Sequence, residues 1–183
     1  MIYEPLVKVG YEWVNVVDDA DYEIFYSFDG TSRVTNWKEV RVKRVRADER
    51  QECRESDFPW LGTHALVLRE RAVHKLRQVI EPHAEILPLK DADGASLYVL
   101  NVLNVVDALD EEKSAVIRFP STRRIMRVTR PCFREPLIRG LDLFRLPFRA
   151  SPTYVSQRFV DAVADAKLLG IEFRLTESAR TSA

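Results

Sequence analysis

Glycine is scarce, six in 183 residues, and none falls in a G-x-G-x-x-G or P-loop spacing. A backbone cradle for phosphates therefore has no candidate. Cysteine is scarcer still. Cys53 and Cys132 stand far apart with no Cys-x-x-Cys, which excludes a disulfide scaffold and a zinc ribbon and fits a reducing compartment. The histidines, His64, His74 and His83, lack the i, i+4 spacing that presents two imidazoles to a metal. A histidine on or beside a helix is then read as a surface residue. No serine sits in G-x-S-x-G, so a nucleophile elbow is disfavoured. Long apolar runs are also missing: the best, from Leu97 to Leu109, is broken by Asn101, Asn104 and Asp107 and cannot span a bilayer. The first twenty residues carry Glu4, Glu12, Asp18 and Asp19 against Lys8, the reverse of a secretory signal. The expected location is the cytoplasm, with no metal, no cofactor and no membrane contact.

Neither sign of charge is in excess, because Lys+Arg and Asp+Glu both count 28. A protein built mainly to neutralise phosphates would be basic, so direct nucleic-acid binding is not expected. What is present is an ordinary globular balance, 46% apolar and 31% charged, in a chain long enough for one self-sufficient core. The charge is uneven, however. Residues 1–30 hold seven acids and one base, and residues 111–150 hold ten bases and four acids. Segregation of this kind marks either a solvated surface or a face for a partner.

Periodicity gives the elements. Tyr22, Ile24, Tyr26 and Phe28 alternate before the turn pair Asp29-Gly30, which predicts a strand. Val40, Val42 and Val45 predict another strand, and residues 46–57 a charged loop or short exposed helix. His64–Leu68 reads as a strand and Arg69–Ile80 as a helix, with Ala72, Val73, Leu76, Val79 and Ile80 on one face and Pro82 just beyond. Residues 84–103 form a hairpin turning at Asp91–Gly94, and residues 114–119 and 124–128 a further strand pair. Thr153–Val155 is a strand, Ser156 an N-cap, and the following helix runs to about Leu169, closed by Gly170 before a strand at Ile171–Leu175. Leu68–Leu76 lies over Val155–Val163 without a gap, a weak internal duplication of a β-α-β unit. The expected class is α+β: a mixed, largely antiparallel sheet with two main helices in strand-helix-strand units. The whole chain, 1–183, is read as one domain with a strand-rich part at 1–56, a core at 57–176 and a polar tail at 177–183.

Few constellations carry chemistry. Cys132 has Arg130 and Arg134 beside it, which favours a thiolate, but no histidine can be placed with it, and a buried structural cysteine is the default. Trp13, Trp37 and Trp60 are read as core before interface. Asn101 and Asn104 interrupt an apolar strand, so their amides must be satisfied and pin the structure. Asp107 and Asp110, spaced i, i+3, would share one side of a helical turn, as a hydrolase or transferase pair would; capping of a turn competes with that reading. Two charged patches remain as partner-binding candidates. One is Asp18, Asp19 and Asp21, for a basic partner. The other is the run with Arg123, Arg124 and Arg127, for an acidic one. Alternation puts Arg124 on the face of Met126 and Arg127 on the other.

Longer patterns add a resemblance. They are Asp57-Phe-Pro-Trp60, Leu66-Val-Leu-Arg-Glu-Arg71 with Leu76, Ile86-Leu-Pro-Leu89, Tyr98-Val-Leu-Asn-Val-Leu, Val106-Asp-Ala-Leu-Asp110 and Ser114. Leu143-Phe-Arg145, Val155-Ser156, Gly170 and Phe173 complete them. In this order and spacing, residues 57–175 resemble immunity protein family eleven, encoded beside bacterial polymorphic toxins, while residues 1–56 match loosely. Arg69 departs from the pattern: the family tends to have a serine there, as at Ser156, which implies a weaker cap on the first helix. The resemblance implies an α+β fold and neutralisation of a cognate toxin or effector, encoded by a neighbouring gene, through direct binding rather than catalysis. It brings no contact residues with it. A scaffold or regulatory protein without a toxin is the other non-catalytic alternative.

Overall fold

The computed structural model describes residues 1–48 and 51–178. The chain begins with strands β1 (Ile2–Val7) and β2 (Trp13–Val16), helix α1 (Tyr22–Tyr26) and strands β3 (Val40–Val45), β4 (Ala47–Asp48) and β5 (Gln51–Glu52). Strand β6 (Val67–Arg69), helix α2 (Glu70–Ile80) and strands β7 (Ala84–Asp91) and β8 (Ser96–Val102) follow. Next come β9 (Ala115–Arg118), β10 (Ile125–Arg130), β11 (Cys132–Phe133), helix α3 (Glu135–Ile138) and β12 (Leu143–Phe144). The last elements are β13 (Tyr154–Ser156), α4 (Gln157–Asp165), β14 (Ile171–Leu175) and β15 (Glu177–Ser178).

Alternation builds the larger sheet, of order β2-β3-β7-β8-β6, in which only β3 and β7 run parallel. Val40, Val42 and Arg44 of β3 face inward while Arg41 and Lys43 face water. Arg44 takes the inward place in phase with Val40 and Val42, and Val45, expected inside with them, is half-buried. Asp91 at 3.0 Å and Glu12 at 3.8 Å, both buried, hold its guanidinium there. In β8, Leu97 and Val99 face one way and Leu100 and Val102 the other. Both faces are covered, which explains the near-continuous apolar run. One cover is α1. Residues 22–26 are helical, not the strand expected from Tyr22, Ile24, Tyr26 and Phe28. Asp18 accepts the Ala20 N–H at 3.0 Å and starts a 3-10 turn over Asp19–Asp21, from which α1 continues. Phe25 and Phe28, three apart, then turn inside and meet edge to face at 5.9 Å. Residues 47–52, expected to be a loop or helix, contain the short antiparallel pair β4–β5.

The second sheet, β12-β13-β1-β14, repeats part of the first. In each, a strand-helix-strand unit flanks one antiparallel central strand: β6-α2-β7 around β8, and β13-α4-β14 around β1. The registers correspond throughout. Leu68 faces Tyr98 as Val155 faces Tyr3, and Ala84 faces Val102 as Ile171 faces Val7. The weak duplication in the sequence is therefore a structural one, although its two central strands come from opposite sides of their units in the chain. Helices α2 and α4 pack together over Leu68, Leu76, Val155, Phe159 and Val163.

Each unit is tied to the other at its ends. The Arg69 N–H donates to the Asp57 carbonyl at 2.9 Å, as the Ser156 N–H donates to Asp142 at 3.0 Å. Arg71 pairs with Asp57 at 2.8 Å and Arg158 with Asp142 at 2.6 Å. Each aspartate then reaches the far end of the other helix's unit: Asp57 accepts the Leu169 N–H at 2.8 Å, and Asp142 lies 3.6 Å from His83. The caps differ as expected. Ser156 accepts the Phe159 N–H at 3.2 Å, whereas Arg69 gives α2 no side-chain cap. The end of α4 differs from expectation. Lys167, not Gly170, takes the left-handed position (φ 51°), and the Lys167 and Leu168 N–H groups donate to Ala164 and Val163 in a Schellman arrangement. Gly170 (φ 95°) is needed for another reason: a Cβ there would stand 1.9 Å from the Ser56 hydroxyl.

Between β8 and β12 lies a segment that neither copy of the unit contains. It includes the antiparallel β9–β10 hairpin, α3, and β11, which pairs parallel with β15. It rests on a third apolar cluster, with Phe133 set edge to face against Phe144 at 5.2 Å and Tyr154 at 4.8 Å.

Candidate partner-binding surface

The acidic candidates sit on the turn after β2. Asp18 is exposed but its carboxylate is occupied by the turn it caps. Asp19 is exposed and Asp21 half-buried, and neither has an ion-pair partner among the described residues. Nearby Glu23 pairs with Arg149 at 2.5 Å. The turn is anchored in the cluster of Phe25 and the larger sheet, whereas the arginine candidates are anchored in the cluster of Phe133. The fold does not bring the two patches into contact.

Arg123, Arg124 and Arg127 belong to the β9–β10 hairpin. Val128 is buried, and Val116 and Ile125 pack beside it on the third cluster. At the tip, the Phe119 N–H donates to the Arg124 carbonyl and the Arg123 N–H to that of Phe119, both at 2.9 Å, with Arg123 left-handed (φ 59°). Arg118 braces this turn by donating to the Arg123 carbonyl at 2.8 Å, while it also pairs with Glu111. A register shift between Ile125 and Arg127 breaks the expected alternation, so Met126 and Arg127 are both exposed, and Arg127 faces Ile117 across the ladder. Ile117 (46% exposed), Phe119 (44%) and Met126 (46%) thus stand among the arginines. The arginine run could be read from the sequence; the outward turn of Met126 could not, because it follows from the register shift. Arg123, Arg124 and Arg127 have no carboxylate partner among the described residues, in contrast to Arg44, Arg69, Arg71, Arg158 and Arg174.

The other candidates have structural roles. Asp107 and Asp110 share no helical turn. Asp107 is exposed and lies 3.4 Å from Arg134. Asp110 accepts the Lys113 N–H and pairs with the Lys113 ammonium at 3.4 Å, which makes it the cap of a turn. Asn101 is fully buried and donates to the Thr31 carbonyl and to Glu85, both at 2.9 Å. Burial would raise the Glu85 carboxyl, but hydrogen bonds from Ser32, Arg33 and Asn101 outweigh it and hold the pKa below its usual value. Asn104 donates to the Leu143 carbonyl at 3.0 Å and touches His83 at 2.9 Å. Cys132 is buried and Trp37 and Trp60 pack against the cores, as expected. His64 is not at the surface. It is buried against Tyr26, with ring centres 4.6 Å apart. Burial, then the charges of Arg145 and Arg149, lower its pKa to about 4. Arg145 is itself buried, donating to the Phe28 and Ser151 carbonyls, and burial lowers its pKa to about 10. Among the described residues no cluster of His, Cys, Asp or Glu could hold a metal, and no helix is long and apolar enough to cross a membrane.

Two clefts lie at the equivalent N-terminal ends of α4 and α2. The first, about 470 Å³, is lined by Asp142, Ser156 and Arg158; the second, about 320 Å³, by Asp57, Arg69 and Arg71. The side chains of Asp142, Ser156 and Arg158 bond to one another in the first, and Asp57 pairs with Arg71 in the second.

No curated protein matches the sequence. A family model does, that of the immunity protein family Imm11, over residues 86–178. The match runs from within β7 to the end of β15, takes in the arginine hairpin and leaves out the acidic turn. It covers half of the chain, so the chain belongs to the Imm11 immunity protein family.

Proposed function

We propose that this protein neutralises a cognate toxin, encoded by a neighbouring gene, by binding it directly and blocking its working surface. The family match carries the reading. The geometry supports it, because the buried polar groups are largely engaged in holding the fold while exposed Asp19, Arg123, Arg124 and Arg127 have no ion-pair partner among the described residues. Such a protein works by steering and occlusion: complementary charge speeds encounter, and a desolvated centre slows release. It acts where it is made, in the cytoplasm, without a cofactor. The enzymatic alternative rests on Asp107 and Asp110, and their separate engagements with Arg134 and the Lys113 turn give it little support.

The test is co-expression with the protein encoded by the adjacent gene. A one-to-one complex on size-exclusion chromatography, together with restored growth, is the expected result. A toxic neighbour that neither binds nor is neutralised would overturn the proposal.

A further inference from the structure

Resting on the immunity reading, we infer that the β9–β10 hairpin is the docking arm and that it recognises an acidic face of the toxin protein. From Lys113 to Arg134 the sequence has seven bases and no acid. Arg123, Arg124 and Arg127 have no carboxylate partner among the described residues, so a partner's carboxylates would meet them without breaking an existing ion pair. The same ribbon exposes Ile117, Phe119 and Met126. Apolar groups ringed by arginine have the make-up of an interface centre, where aromatic, Met and Arg side chains are enriched.

The hairpin is also prepared for contact. Val128 anchors one face and Arg118 fixes the tip, so little backbone freedom remains to be lost on binding. It belongs to the segment inserted between the two copies of the frame, and it lies inside the family match. A protein partner fits better than a nucleic acid. Phe119 is the only aromatic side chain from Ala115 to Arg130, so there is no stacking platform, and the aliphatic Ile117 and Met126 need an apolar counterpart. The acidic turn fits less well, since Asp18 is engaged in its cap.

The experiment measures association of the purified chain with the protein encoded by the adjacent gene, at low and high salt. The R123E/R124E/R127E variant should associate at least about tenfold more slowly at low salt. The difference should shrink in high salt, where the charges are screened. Phe119→Ser should instead raise the dissociation rate, by about tenfold. Unchanged thermal midpoints verify folding, and Arg→Gln versions provide milder substitutions at the same sites. Unchanged kinetics in the hairpin variants, with wild type still binding and rescuing growth, would overturn the docking arm and leave the immunity reading standing. Slowing by D18K/D19K/D21K alone would do the same and assign docking to the acidic turn. Tighter binding of wild type to duplex DNA, single-stranded RNA or anionic lipid vesicles than to the toxin would overturn the acidic-protein partner. Failure of wild type to bind or rescue would remove both readings together.

Discussion

Arg71 and Arg127 are both arginines with exposed surface, yet their surroundings differ. Arg71 lies 2.8 Å from Asp57, which also accepts the Leu169 N–H and so ties α2 to the end of the α4 unit. Arg158 repeats this with Asp142. Arg127 faces Ile117 across a two-stranded ribbon and meets no carboxylate among the described residues. The duplicated frame uses its charges to close on itself, and the hairpin leaves Arg123, Arg124 and Arg127 outward with no carboxylate partner among the described residues. A charge paired with a buried carboxylate is costly to remove, because its partner is left buried and unpaired, whereas one held out on a rigid ribbon contributes little until a partner arrives.

The strongest way to break this comparison is to empty the frame. Phe159 is fully buried between the helices and the second sheet, and Phe159→Ala should cost about 3–5 kcal/mol in denaturant unfolding. Phe119→Ala on the hairpin should cost less than about 0.5 kcal/mol. Equal losses would erase the distinction between the two regions.

Acid is the next largest perturbation. Burial first, and then Arg145 and Arg149, lower the His64 pKa from 6.5 to about 4. Above pH 6.5 the imidazole is neutral whether the chain is folded or unfolded, and its contribution is intact. As the pH falls from 6.5 toward 4 the unfolded chain takes up this proton and the folded chain does not, so stability declines. The loss is at most about 3 kcal/mol. His64→Leu should flatten this part of a stability–pH curve, and R123E/R124E/R127E should leave it in place. A level wild-type curve over that interval would contradict a buried neutral imidazole.

The two ties sharpen the comparison further. Asp57→Asn and Asp142→Asn should each cost about 1.5–3 kcal/mol, because each weakens a charged hydrogen bond in a buried setting. Clearly unequal losses in chemical denaturation would mean that the two copies do not share their load. Smallest of all, Arg127→Ala should move stability by less than about 0.5 kcal/mol, and a large drop in its thermal midpoint would show a structural role for that side chain.

Much of this frame is legible before any coordinates. The α2 stripe of Ala72, Val73, Leu76, Val79 and Ile80 is buried as its spacing requires, and Ser156 caps α4. The gapless match of Leu68–Leu76 with Val155–Val163 marks a true repeat, whose missing member, β1, is hidden because it lies at the other end of the chain. The alternating aromatics at residues 22–28 mislead, since Asp18 starts a turn and the i, i+3 pair Phe25 and Phe28 supplies the buried side. On the surface, charge can be read but exposure cannot. The arginines of the hairpin are plain in the sequence, while the outward turn of Met126 depends on a register shift that only the paired strands reveal.

The place of β1 also has a consequence for how the protein is made. Residues 2–7 are made well before their ladder partners, β13 and β14, with Tyr3 set against Val155 and Leu175. At roughly 5–20 residues per second, this strand waits on the order of ten to thirty seconds for its neighbours to be translated. Buried Glu4 waits equally long for Arg174. The second sheet therefore closes only once β13 and β14 have been made, when β1 slots between them.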